Sequence, residues 1–419
     1  MENILRTFTN ILLVIAISIL LNACSDSDNS VNVTPIEWRE NSSTYNVVYN
    51  DNTIVFEQSD LADLVAEDAN KHTYSFLSSN SKAKLLKKGD IIIIYGKALR
   101  KVSKINLTNN NIVVETEYTT MNKAIKSGKI AWDYGCEFTA NAKPVVMMKG
   151  QEYNPVINGE VLNWNFTANG MDYTIEMNMN GDNADVKFQI EKKMGDNAGG
   201  KFIAEGTIQR FRSISSMNYN NSSLSDFSNT NDGLSGDLKL SLVVAASGND
   251  GVTLELPVIL LKYPFLVGPI PCVINVKAVV LINAVVPFAA SSQVTAKFKY
   301  NSKTGFKYAG GGFESQGNIG SYSMDKDKAQ TGSPSAISAN FGIGFPRLEL
   351  SMFGEVVVPW IQTAFLIGGY YNFNPACQEA KAIFQGSCGV DFSFLGFEKT
   401  FSTKLWEQEK VLLQAGACK

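Results

Sequence analysis

Apolar and polar residues alternate with a period of two over much of the chain, most clearly across Cys272–Tyr300. Every even position from Cys272 to Ala290 is apolar, while odd positions mix Asn275, Lys277 and Asn283 with Val279, Leu281 and Val285. After Ser291-Ser292, Val294, Ala296, Phe298 and Tyr300 face one way and Gln293, Thr295, Lys297 and Lys299 the other. That period predicts long strands with one buried face. Asn301–Gly305 is expected to turn the chain into Phe306–Gly310. Pro264, Pro269 and Pro271 lack the donors of a central strand, which predicts an edge or a loop before Cys272. Hairpin turns are expected at Asn180-Gly181, Gly195–Gly200, Asn231-Asp232-Gly233 and Asn249-Asp250-Gly251. The Ser- and Asn-rich Ser213–Leu234 and the Ser/Gly-rich Ser315–Ser338 read as exposed loops.

Nearer the N-terminus, Tyr45–Tyr49 and Thr53–Glu57 read as short strands about the turn Asn50-Asp51-Asn52. Asp60–Lys71 fits a helix capped by Ser59, with Leu61, Leu64 and Val65 on one face. It also fits a strand Leu61–Ala66 that turns at Asp68-Ala69-Asn70 into Thr73–Leu77, and the neighbouring strands favour this second reading. Gly89-Asp90 feeds the apolar run Ile91–Ile94, followed by a basic strand Leu99–Ile105, a strand Ile112–Tyr118 and a short helix Thr119–Gly128. The glycine-aspartate turn, the Arg100-Lys101-Val102 strand and the Thr119-Thr120 helix start resemble a recurrent N-terminal module of exported bacterial proteins. The resemblance covers this segment alone and implies a fold without an activity. The fold expected is mainly β: a small barrel-like domain over 45–135, then a larger antiparallel β-sandwich-like body over 136–419.

The first residues break the pattern. Arg6 precedes an apolar run, Ile11–Leu21, interrupted only by Ser18. The run is too short for the roughly 20 residues of a spanning helix and suits the core of a signal peptide. Leu21-Asn22-Ala23-Cys24 then resembles the lipobox of bacterial lipoproteins, with Asn22 where a small or hydroxyl residue is usual. The resemblance implies removal of residues 1–23 and acyl chains, palmitate among them, on Cys24. Each buried methylene contributes roughly 0.8 kcal/mol, so more than one chain anchors a body stably at a membrane. Ser25-Asp26-Ser27-Asp28-Asn29-Ser30 opens a flexible tether over 24–44. It is also similar to the acidic tag that carries some Gram-negative lipoproteins to the outer face of the outer membrane. The location expected is the outer membrane, lipid-anchored and exposed at the cell surface.

Composition narrows the rest. Hydrophobic residues at 45% and charged residues at 18% belong to a folded chain with a sizeable core. A net charge of -3 without a basic stripe excludes nucleic-acid binding. An exported chain meets an oxidising compartment, so disulfides are expected. Cys377 and Cys388 bracket a short segment and form the expected pair, while the pairing of Cys136, Cys272 and Cys418 is left open.

Candidate chemistry is sparse. His72 is the only histidine and so the only base for a Ser-His or Cys-His arrangement, but no nucleophile signature accompanies it. One histidine also leaves too few ligands for zinc or iron. Asp182 and Asp185 sit in one tight loop without the ligand spacing of an EF-hand, and read as a plain hairpin turn. Gly310-Gly311-Gly312 has no following lysine or helix to cradle a phosphate. No catalytic residue, metal or cofactor is assigned. Trp38, Trp132, Trp164, Trp360 and Trp406 offer stacking surfaces for sugars, although most large aromatics fill cores. The role expected is non-enzymatic binding or adhesion at the cell surface, with a glycan or protein ligand. An extracellular carbohydrate-active hydrolase is an alternative, because its two carboxylates need only meet in space. A pore-forming protein that deploys the amphipathic strands of 272–300 is another.

Overall fold

The computed structural model describes residues 39–418 apart from 109, 140–141, 149–150, 169, 194–198, 247–249, 287–289, 319–321, 332–337 and 374–375. The signal segment 1–23, Cys24, Trp38 and most of the tether lie outside the described residues, as do residues 195–198 of the turn expected at Gly195–Gly200 and Asn249 of the turn expected at Asn249-Asp250-Gly251.

Alternating apolar residues produce strands almost throughout. After β1 (Ser42–Tyr49) the chain lays down β2 (Thr53–Phe56), β3 (Leu64–Asp68), β4 (Thr73–Leu77), β5 (Ile91–Ile94), β6 (Ala98–Leu107) and β7 (Asn111–Glu117). It returns along β8 (Ile125–Cys136), then through the short β9 (Lys143–Met148), β10 (Gln151–Tyr153) and β11 (Val156–Asn158). A meander follows: β12 (Val161–Ala168), β13 (Met171–Asn180), β14 (Asn183–Lys193) and β15 (Gly199–Gln209). Next come β16 (Phe211–Asn220), β17 (Ser223–Ala246), β18 (Asp250–Val267), β19 (Ile270–Val286) and β20 (Ala290–Ala309). The last are β21 (Gly312–Asn318), β22 (Tyr322–Thr331), β23 (Ser338–Met352), β24 (Glu355–Phe373), β25 (Ala376–Asp391) and β26 (Thr400–Gly416).

These strands make three sheets. A six-stranded sheet in the order β2-β5-β6-β7-β4-β3 curls about Phe56, Phe76, Ile92, Ile94 and Val102. Asn80 caps the short helix Ser81–Leu85 over that core, its Oδ1 accepting from the Ala83 N–H at 2.8 Å. A twelve-stranded sheet contains β1, β8, β11–β17 and β20–β22, and an eight-stranded sheet runs β10-β9-β18-β19-β23-β24-β25-β26. The two large sheets face each other across one core, with ring pairs Phe202–Phe341 at 5.7 Å, Phe188–Phe345 at 5.8 Å and Phe298–Phe365 at 5.1 Å between them. β17 is the spine of the larger sheet: its first half pairs with β16, its second half with β15, and β20 runs along its other side. The fold is mainly β, as expected.

Several local expectations change. β1 and β8 pair with each other inside the twelve-stranded sheet, so the small sheet is an insertion over 53–117 between two strands of the sandwich. The helix expected over Thr119–Gly128 is confined to Met121–Ala124, because Ile125 already pairs with Tyr49. Gln58–Asp63 forms a 3-10 turn before β3. Ser213–Leu234 is a strand pair rather than a loop, turned at Asn221-Ser222, where both residues adopt positive φ (49° and 56°). Ser213, Ser215, Asn229 and Asn231 are buried there because Phe211, Met217 and Phe227, on the same face, fix that face inward. Asn231-Asp232-Gly233 is a bulge in β17, not a turn, and Asn301–Gly305 continues β20. Ser315–Ser338 contains the end of β21, all of β22 and the start of β23. Among the described residues β9 pairs with β18 only as far as Lys262, and Pro264 lies beyond that pairing.

The expected Cys377–Cys388 bridge is replaced by Cys377–Cys418, with Cα atoms 4.8 Å apart. Cys377 and Cys388 lie on the same strand, and at about 3.3 Å per residue they stand roughly 36 Å apart, beyond the reach of a disulfide. Cys136, Cys272 and Cys388 are buried thiols, and desolvation pushes each of them above the ordinary cysteine range.

Candidate functional site

Where the inserted sheet meets the sandwich, a groove of about 610 Å³ opens. Its walls come from the turn between β1 and β2 (Asn50, Asn52), the start of β5 (Gly89, Ile91), Lys101 on β6, the link Tyr118-Thr119-Thr120, the helix residues Asn122 and Lys123, and Ser222 in the β16–β17 turn. Local chemistry fixes this frame. The Asn50 N–H donates to the Ala124 carbonyl at 2.9 Å, and its Nδ2 donates to the carbonyls of Asn122 (3.2 Å) and Lys123 (2.9 Å). Ser222 Oγ donates to Asn50 Oδ1 at 2.9 Å, and the Ser222 N–H donates to the Lys126 carbonyl at 2.8 Å. Thr53 Oγ1 donates to the Ala124 carbonyl at 3.0 Å, and Thr120 Oγ1 to Asn122 Oδ1 at 2.6 Å. Gly396 presses on Asn122 from the sandwich side; a Cβ there would lie 2.1 Å from the amide carbon.

Tyr118 is 51% exposed, with the Phe394 ring 6.5 Å away. Partial burial of its hydroxyl, then the charges of Glu355 and Asp391, push its pKa above the ordinary tyrosine value, so the phenol is neutral at physiological pH. Lys101 is ion-paired with Glu117 at 2.7 Å, whereas Lys123 is exposed and has no ion pair among the described residues. No Asp or Glu lines the groove.

The residues singled out in the sequence lie elsewhere. His72 occupies the exposed β3–β4 turn with φ 52°, and its carbonyl accepts from the Thr116 N–H (3.1 Å) and Oγ1 (2.6 Å). Asp182 pairs with Arg210 at 2.9 Å and Asp185 accepts from Thr207 Oγ1 at 2.6 Å, so the two do not converge on one point. Among the described residues no group of three His, Cys, Asp or Glu is placed to hold a metal. Gly310 and Gly311 form the two-residue turn between β20 and β21, both at positive φ. Trp132 and Trp164 are core residues, Trp406 packs on Phe384 at 4.6 Å, and Trp360 lies over Gly389 with the Arg347 guanidinium 5.0 Å from its ring centre. The exposed aromatic of the groove is Tyr118, which sequence alone did not mark because its position depends on the junction of two sheets.

A smaller cleft of about 230 Å³ lies by Arg39, Tyr134 and Tyr263, above the buried Arg212–Asp133 pair. The chain matches no family model, no curated protein and no solved structure.

Proposed function

We propose that this chain is a lipoprotein held by acyl chains on Cys24 at the outer face of the outer membrane, where it captures an external ligand in the groove without transforming it. The lipobox-like Leu21-Asn22-Ala23-Cys24 and the acidic tether support the address. The observation that carries the binding role is the groove's hydrogen-bonded frame about Asn50 and Ser222, which is formed before any ligand arrives and lies beside the half-exposed Tyr118 ring. Such preorganisation lowers the entropy lost on binding.

Glycoside hydrolysis uses two carboxylates flanking the bond, and the groove is lined by none. A membrane-inserting hairpin over 272–300 would need its two strands to pair, but β19 pairs with β18 and β23 while β20 pairs with β17, β21 and β22. Capture is therefore the better reading of the three. Protease added to intact cells should remove the body of the protein, while a periplasmic marker survives. Palmitate labelling should depend on Cys24. Loss of the signal only after the outer membrane is opened would sink surface capture and leave a role inside the envelope.

A further inference from the structure

We infer that the groove takes a neutral saccharide, with one sugar ring stacked on Tyr118; this rests on the capture reading above. A pyranose presents an apolar C–H face and a rim of hydroxyls, and recognising it takes one flat aromatic surface amid amides and hydroxyls. The groove supplies that combination. Its exposed apolar surface is the Tyr118 ring, since the one aliphatic lining residue, Ile91, is only 3% exposed. The same groove is lined by Asn52, Thr120, Asn122, Lys123 and Ser222.

The internal bonds also select which atoms are left for a ligand. Asn50 is consumed by the frame, through Nδ2 to two carbonyls and Oδ1 to Ser222. Asn122 gives its Oδ1 to Thr120, which leaves its Nδ2 donor without a partner among the described residues. The Lys123 ammonium is likewise unpaired there, a second donor on the same helical turn. Donors of this kind suit hydroxyl oxygens. The charges around the groove are mixed and favour no ion of one sign: Lys101 is matched by Glu117 at 2.7 Å, and Tyr118 feels Glu355 and Asp391 on one side and Arg100 on the other, beside the Lys123 ammonium. A protein ligand would seek a desolvated apolar pocket for an anchor side chain, and this groove has none beyond the covered Ile91. The volume, about 610 Å³, is that of a small-ligand site.

The test is saturation-transfer NMR on the full chain in detergent, with maltotriose, cellotriose and chitotriose as neutral probes and trigalacturonate as the acidic one. At least one neutral trisaccharide should take up saturation most strongly at the protons of one ring face. Tyr118→Ala should weaken that binding about tenfold, the worth of one aromatic contact, while Tyr118→Trp retains it. Tyr322→Ala, which removes an exposed aromatic elsewhere, should leave it unchanged, and thermal melts of each variant separate loss of binding from loss of fold. Binding that survives Tyr118→Ala overturns the site. Silence from every neutral probe at millimolar concentration, or a response to trigalacturonate alone, overturns the ligand class. Capture of a matrix protein that Tyr118→Ala blocks would also overturn the saccharide, yet leave the capture reading standing.

Discussion

Arg212 is a charge taken fully into the sandwich, with a side chain 1% exposed, and its environment explains why it is tolerated. Its guanidinium binds the Asp133 carboxylate and donates to the carbonyls of Arg39 (2.7 Å) and Asp133 (3.1 Å), a spread of acceptors that only a planar fork satisfies. Arg212→Met would leave Asp133 paired only with the exposed Arg39. Breaking a buried pair from one side costs about 3–5 kcal/mol when the remaining charge is left alone; because Asp133 keeps Arg39, urea unfolding of this variant should show a smaller loss, of which Arg212→Lys restores part. A midpoint equal to that of the parent protein would mean that the network contributes nothing net. Trp360 shows the opposite kind of constraint, fixed by what is missing beneath it. A Cβ on Gly389 would lie 2.5 Å from its ring, so the glycine lets the indole lie flat on the sheet. Neither Arg212 nor Gly389 carries a sequence signal of its role, because both roles depend on strands distant in the chain.

At the scale of elements, the C-terminal edge strand depends on one covalent tie. Cys377–Cys418 joins the start of β25 to the chain just beyond β26 and closes a loop with a sequence separation of 41. A loop of that size restricts the unfolded chain by about 3–4 kcal/mol. Cys418→Ser should therefore lower stability by up to that amount and raise hydrogen exchange first at the end of β26. Peptide mapping without reductant should recover the 377–418 link, with Cys136, Cys272 and Cys388 alkylated only after denaturation; a 377–388 link would refute the fold of this edge. The sequence could not reveal this pairing, since closeness along the chain is a poor guide once both residues share one extended strand. Period two was the legible part: Cys272, Ile274, Val276, Ala278 and Val280 on β19, and Val294, Ala296, Phe298 and Tyr300 on β20, all face the core as their alternation required. Sheet membership was not legible, because an inward strand of either sheet has the same pattern. The polar hairpin of β16 and β17 was misread for a related reason. Ser and Asn favour turns locally, and their burial at Ser213 and Asn229 follows from the apolar neighbours Phe211, Met217 and Phe227 on the same face, not from any signal of their own.

For the whole molecule, β5 decides whether the inserted sheet and the sandwich are one cooperative body. Its four isoleucines are all buried, and they alternate between two cores. Ile92 and Ile94 pack with Phe56, Phe76 and Val102 inside the small sheet. Ile91 and Ile93, with Leu99 from β6, belong to the core of the sandwich. A second tie is polar: the Gly96 N–H donates to the Pro269 carbonyl in the β18–β19 turn at 2.9 Å. A strand that is apolar on both faces cannot release one neighbour without exposing side chains to water, so calorimetry should give a single transition in which both parts melt together. Truncating Ile92 should cost about 2–5 kcal/mol and lower that transition as a whole. Replacing Ile91 and Ile93 together by serine removes the shared face while leaving Ile92 and Ile94 in place, so the small sheet should then melt in a step of its own. Hydrogen exchange would assign the two steps, with amides of β6 and β7 losing protection ahead of those of β17. Ile91 also lines the groove, and the frame around Asn50 spans both parts, so the same double variant should lose ligand capture before it loses the sandwich. Two transitions in the unaltered protein would show instead that the parts fold independently, and that the groove is a hinge between them rather than a fixed cleft.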